Sequence, residues 1–498
     1  MRSKRERIEN KKSVGSSKIS FQIFLGSLVF GRIVNLISLF PAYVGGDSIS
    51  YRPIGVPPTS IPSLSYWPET LWGKGTRGLL PVGFFHFLPS DELRMIGQSL
   101  ISILAWALLG WIVFQLRSSN LVSEKIYRFL LLFICLFSLC GEVTSWNKII
   151  YSESIAISFF VISIALLLRI LYFAQLRKII MVLWVFANFL LVTARPNFIL
   201  VFVTVIIFLF YKNYLGAFRS TFFTTLAIFS LITSYSYEKS NSDLWTTHNW
   251  SHELVAISYY ASADNPHADS FVPLVNASPG KPICVPKLTG PLPSDQQLLW
   301  SLPFNFNNTC IAARQWSQGA FWPMVFKWWH NSPKDAADTY RRALIAASRQ
   351  LPYFDQVVPV PAIISNSIFP FTDAQITLPD SYHSGSDRQP KVSFDPIVIY
   401  ILVAFFAWFA GRKRKSFNNP TKPPTSLLGV LIAYIVGSVL MLISGILLTP
   451  GPQREVYRHA VVPFISLRLL IGIFAIINAV NLYETTKISN LTEKKSLL

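Results

Sequence analysis

Charged residues are scarce in this chain, and those close to its apolar runs ask for a chemical explanation, because a charge near membrane depth is costly to keep. Asp47 follows the first long apolar run in Val44-Gly45-Gly46-Asp47-Ser48-Ile49-Ser50-Tyr51, where the glycines permit a sharp turn. Glu153 opens a later run in Tyr151-Ser152-Glu153-Ser154. Arg195 stands in Thr193-Ala194-Arg195-Pro196-Asn197, and Arg454, Arg458 and His459 precede the final run. A carboxylate so placed can take up a proton, and arginines grip oxyanions such as phosphate through paired N–H donors. Each also has a purely structural reading. Asp47 could cap a helix, Glu153 suits a helix N-terminus, Arg195 could reach to headgroups, and the last three could form an ordinary interfacial cluster. Arg32 and Asn35, inside the first run, read as partners for other helices rather than for a substrate.

The elements that must position these groups follow from hydropathy. The 498 residues are 51% hydrophobic and 14% charged, whereas soluble proteins carry about a quarter charged residues. Ten apolar runs read as membrane spans: Phe21 to Val44, Ile96 to Leu116, Phe129 to Val143, Ile155 to Leu171, Ile179 to Ala194, Phe198 to Tyr211, Phe222 to Tyr237, Ile397 to Ala410, Leu427 to Leu448 and Val461 to Val480. The net charge of +19 would suggest a nucleic-acid partner in a soluble chain. Here the basic residues gather at run ends. With the N-terminus inside, 23 Lys and Arg fall in the inner segments and 8 in the short outer ones, so the charge sets topology and attracts anionic lipid rather than nucleic acid. Splitting the fifth and sixth runs at Arg195-Pro196 keeps Arg412-Lys413-Arg414-Lys415 inside.

The expected fold class is an all-α multi-pass membrane protein of about ten transmembrane helices. Residues 1–20 form a basic cytoplasmic N-terminus and residues 21–237 hold seven spans, with a first extracytoplasmic loop at 45–95. Residues 238–394 form a large extracytoplasmic loop domain between the seventh and eighth spans, 397–480 the last three spans, and 481–498 a cytoplasmic tail. No cleavable signal is evident, and the expected location is the cell (inner or plasma) membrane. In the loop domain, Asn331-Ser332-Pro333-Lys334-Asp335 starts a helix that runs to Gln350. Trp328-Trp329-His330 before it suits an interfacial anchor, which would lay that helix on the bilayer surface. Cys284 and Cys310 lie in this loop and could bridge in an oxidising compartment, while Cys135 and Cys140 sit in an apolar run as small hydrophobes.

Gly-Asp-Ser-x-x-Tyr after the first span, Ser-Glu-Ser opening a later one, an Arg-Pro turn, a long late loop and a terminal Arg before the last span together resemble the GT-C membrane glycosyltransferases. That superfamily includes protein mannosyltransferases and lipid A aminoarabinose transferases. The resemblance implies transfer of a sugar from a polyprenyl-phosphate donor to an acceptor hydroxyl on the extracytoplasmic side, with inversion. It makes Asp47 the catalytic base and Arg195 and Arg458 cations near the donor phosphate. Tyr51, Glu153, Arg454 and His459 join them as substrate-binding candidates. No cofactor is called for, and the absence of a paired Asp-Glu or Asp-Asp in the first loop puts a metal-assisted mechanism in doubt while leaving a divalent ion open. The implied partners are a lipid-linked sugar, a glycan, lipid or protein acceptor, and membrane lipid. Two other readings stand beside this one: an O-antigen ligase or polysaccharide polymerase, and a transporter or flippase for lipid-linked glycans.

Overall fold

The computed structural model describes residues 4–38, 84–85, 88, 90–147, 152–173, 175–212, 219, 221–228, 270–285, 311–349, 425–448 and 453–496. Every regular element among them is helical. Besides a single helical turn at Gly141–Thr144 and 3-10 turns at Ser145–Asn147 and Pro196–Phe198, they are α1 (Lys4–Ser38), α2 (Asp91–Ser118), α3 (Glu124–Leu139), α4 (Ser152–Tyr172), α5 (Arg177–Ala194), α6 (Ile199–Tyr211), α7 (Phe271–Asn276), α8 (Ile311–Asn331), α9 (Pro333–Arg349), α10 (Thr425–Leu448) and α11 (Gln453–Ser496).

Six of these contain a stretch long and apolar enough to cross a bilayer: Ser17–Ile37, Asp91–Ser118, Ser152–Tyr172, Arg177–Ala194, Leu427–Gly445 and Val462–Tyr483. The chain is a multi-pass membrane protein. Its third and sixth apolar runs form shorter helices, α3 of 16 residues and α6 of 13. At 1.5 Å per residue α6 reaches only about 20 Å, short of the roughly 30 Å hydrocarbon core. The seventh run is described only over residues 222–228. The eighth run and most of the loop domain lie outside the described residues. Large apolar side chains face outward, Phe30 at 71% exposure and Ile207 at 63%, a surface that lipid must cover.

Helix registers follow from close contacts. Phe24 of α1 abuts Gly110 of α2, while Phe21 stacks at 5.2 Å on Phe114, so α1 and α2 run antiparallel. Leu139 of α3 lies on Gly31 of α1, and Phe133 of α3 on Gly472 of α11. A methyl group on Gly437 of α10 would come within 2.6 Å of the Val201 Cα in α6, so glycine permits that backbone approach. Mid-bundle, Ser163 of α4 donates to Asn188 Oδ1 of α5 at 2.9 Å and shares a 2.8 Å hydrogen bond with the Tyr434 hydroxyl of α10. All of these groups are buried, so the bonds tie three helices where lipid offers no alternative partner.

One end of the bundle is pinned by Glu124, the first residue of α3. Its carboxylate accepts from Ser17 Oγ of α1 at 3.0 Å, Arg117 Nε of α2 at 2.8 Å and Arg128 Nε at 2.8 Å. The Tyr127 hydroxyl donates to the Ser17 carbonyl at 2.6 Å, and Lys125 Nζ lies 4.5 Å from the ring centre of Tyr483 in α11. Partial burial pushes the Glu124 pKa up, but bonds from Arg128, Arg117 and Ser17 outweigh it and hold the carboxyl below its ordinary 4.5. A depressed folded pKa gives stability that is complete above about pH 4.5 and lost as pH falls through the folded value. Melting temperatures of the wild type and Glu124→Gln are therefore expected to differ at neutral pH and to converge in acid; a gap that persists there would contradict this account.

In the loop segment, Pro333 opens α9 as expected, with the Ala336 N–H donating to the Ser332 carbonyl at 3.0 Å. This helix is not isolated: α9 packs against α10 and α11. Trp328 is likewise no free anchor. It is fully buried, its ring 4.8 Å from Phe271, and its Nε1 donates to Ser270 Oγ at 2.9 Å. Trp329 stacks on Tyr340 at 5.7 Å, so these aromatics hold the α8–α9 hairpin together.

Candidate functional site

Proline decides the geometry at one end of the bundle. A residue preceding proline is driven out of the helical region, and Arg195 accordingly ends α5 in extended conformation, φ −146° and ψ 106°. The following turn, Pro196–Phe198, carries Phe198 against Phe160 of α4 at 5.7 Å, and Trp184 of α5 lies 5.5 Å from Phe202 of α6. The chain thus reverses here and α6 returns antiparallel to α5, as two separate runs require.

Arg195 Nη2 donates to Glu153 Oε1 in the first turn of α4, 42 residues earlier. Glu153 is completely buried and the Arg195 side chain is 13% exposed. The pairing replaces two simpler readings: Glu153 is not merely a dipole-favoured acid, and Arg195 does not extend freely to headgroups. Among the described residues nothing accepts a hydrogen bond from the buried Arg195 Nε. By contrast Arg94, buried at the same end, is spent, its Nε on the Phe85 carbonyl at 2.7 Å and its Nη1 on Asp91 at 2.6 Å.

Side chains that the sequence did not mark support this pair. Gln98 of α2 donates through Nε2 to the Asn147 carbonyl at 2.6 Å, and Ser154 Oγ donates to Asn147 Oδ1 at 2.5 Å. The connection from α3 to α4 is thereby fastened to both neighbours beside Glu153. A glutamine inside the apolar run of α2 was the available signal, since buried amides need partners.

No known protein family, curated protein or solved structure matches this chain.

The remaining candidates divide. Asp47 and Tyr51 lie outside the described residues, as does Cys310. Arg454, Arg458 and His459 belong to the first turns of α11, whose antiparallel register with α3 brings its start to the Glu153–Arg195 end of the bundle. Cys284 is disulfide-bonded, and Cys135 and Cys140 are buried thiols outside any disulfide. Among the described residues no three or more His, Cys, Asp or Glu side chains converge as a metal site.

Proposed function

We propose that this chain is a GT-C-type membrane glycosyltransferase that moves a sugar from a polyprenyl-phosphate donor to an acceptor hydroxyl at the extracytoplasmic face. The observation that carries the reading is the buried Glu153–Arg195 pair, which holds a guanidinium at the bundle end with Nε still unbonded among the described residues. A site fixed in this way suits an oxyanion that arrives with the substrate. The end of α1 lies there too, with Asp47 nine residues beyond Ser38, as does the start of α11 with Arg454, Arg458 and His459. The opposite end carries Arg117, Lys125, Arg128, Arg177 and Lys178, a bias that favours placing that end and both termini in the cytoplasm of a cell (inner or plasma) membrane protein.

In this mechanism Asp47 takes the proton of the acceptor hydroxyl while its oxygen attacks the anomeric carbon. The bond from that carbon to the phosphate oxygen breaks, and polyprenyl phosphate leaves as an anion. A stable leaving anion needs no general acid, so one carboxylate base suffices. Arg195, with Arg454 or Arg458, stabilises the charge gathering on the phosphate, and Tyr51, Glu153 and His459 position donor and acceptor. Back-side displacement inverts the anomeric centre.

The test uses membranes containing the full chain and radiolabelled polyprenyl-phosphate sugars. Consumption of donor with release of polyprenyl phosphate is expected for at least one sugar; a properly inserted chain that consumes none across a broad panel would end the reading.

A further inference from the structure

Arg32 departs from its expected role. It lies in the membrane-spanning part of α1, six residues before Ser38, and is 2% exposed. Pairing with other helices was the expectation, yet among the described residues nothing accepts a hydrogen bond from its Nε, Nη1 or Nη2. Among the described residues, the ionisable groups near it are the thiols of Cys140 and Cys135. Thiols are weak acceptors, and a guanidinium cannot shed its proton to escape burial.

A second unsatisfied donor lies close by. The α1–α2 register set by Phe24 against Gly110 brings Trp106 level with Leu28, about one turn along α1 from Arg32. The Trp106 indole Nε1 is buried and, among the described residues, also without a partner, while its ring lies 6.1 Å from Phe137 of α3. Among the described residues, the wall formed by α1, α2 and α3 therefore buries two sets of N–H donors that make no hydrogen bond. An isolated buried charge costs several kcal/mol, a cost that a negatively charged acceptor at this place would offset.

We infer that Arg32, with Trp106 Nε1, forms a phosphate-binding site within the α1–α2–α3 wall. Guanidinium is suited to phosphate because its planar donors meet two oxygens at once. Arg32 lies on the inward face of α1, less than two turns before Ser38, while the opposite face of that helix presents Phe30, Ile33 and Ile37 outward. The inference does not depend on glycosyl transfer.

Thermal unfolding of the full chain in neutral detergent tests it, comparing wild type with Arg32→Met and Arg32→Lys. Without added phosphate, Arg32→Met is expected to melt a few degrees above wild type, since an apolar side chain of similar length relieves the uncompensated charge. Phosphatidic acid is expected to raise the melting temperature of wild type by several degrees and to leave Arg32→Met unmoved. Diacylglycerol should have no effect on either. If inorganic phosphate alone reproduces the rise, the ligand is a soluble phosphate; if only phosphatidic acid does, it is a lipid. Should Arg32→Met fail to fold, native mass spectrometry of Arg32→Lys is expected to show at least tenfold weaker retention of phosphatidic acid. Equal responses of wild type and variants to phosphatidic acid, or equal retention, would overturn the assignment.

Discussion

Glu153→Leu is expected to destabilise the folded chain by about 3–5 kcal/mol, because it strands the Arg195 guanidinium beside a buried apolar surface. Arg195→Leu should be comparably harmful, leaving a fully buried carboxylate without its cation. The double variant is expected to be more stable than either single one, since removing both charges abolishes the desolvation cost along with the attraction. Glu153→Gln should fall between, keeping an acceptor while losing charge. Stability measurements on wild type, the two leucine variants and the double variant in one detergent give the coupling energy. Additive losses in the double variant would mean that the two side chains do not depend on each other, and the oxyanion site built on them would lose its basis.

A second large effect is expected in catalysis. Asp47→Asn should lower sugar transfer by about 10²–10⁴-fold, the usual range for removal of a positioned general base. Donor binding should persist, because the amide leaves the phosphate-facing arginines in place; the loss belongs in kcat rather than KM. The variant also separates the competing readings. A ligase or polymerase working through loop Arg and His residues would keep its activity, and a flippase would still move lipid-linked glycan across vesicles. Transfer at the wild-type rate by normally inserted Asp47→Asn would remove Asp47 from the mechanism.

Parts of this architecture were legible in order and others were not. The apolar runs at Ile155 to Leu171 and Leu427 to Leu448 correspond closely to α4 and α10, and Pro196 announced the reversal after α5. Helix limits were less readable. The basic leader joins the first run in the single helix α1, and the last run sits inside the 44-residue α11, because charged residues at a run's edge stop hydropathy without stopping helix formation. The candidate site was legible only as separate residues. Nothing in their spacing said that Arg195 would reach Glu153, that Gln98 would hold Asn147, or that Arg32 would make no hydrogen bond among the described residues. Trp328 misled for a related reason: an aromatic beside a basic segment looks the same in sequence whether it meets a headgroup or a neighbouring helix.

By itself, then, the sequence determined six of the segments that are helical and apolar enough to span, and where proline turns the chain. These properties depend on runs of about 20 residues and on local backbone restriction, which amino-acid order contains directly. Tertiary structure alone decided which polar groups meet. That outcome depends on how each helix is rotated and shifted against its neighbours. Rotation and shift are set by contacts such as Gly437 on Val201 and Gly110 on Phe24, between residues far apart in the chain.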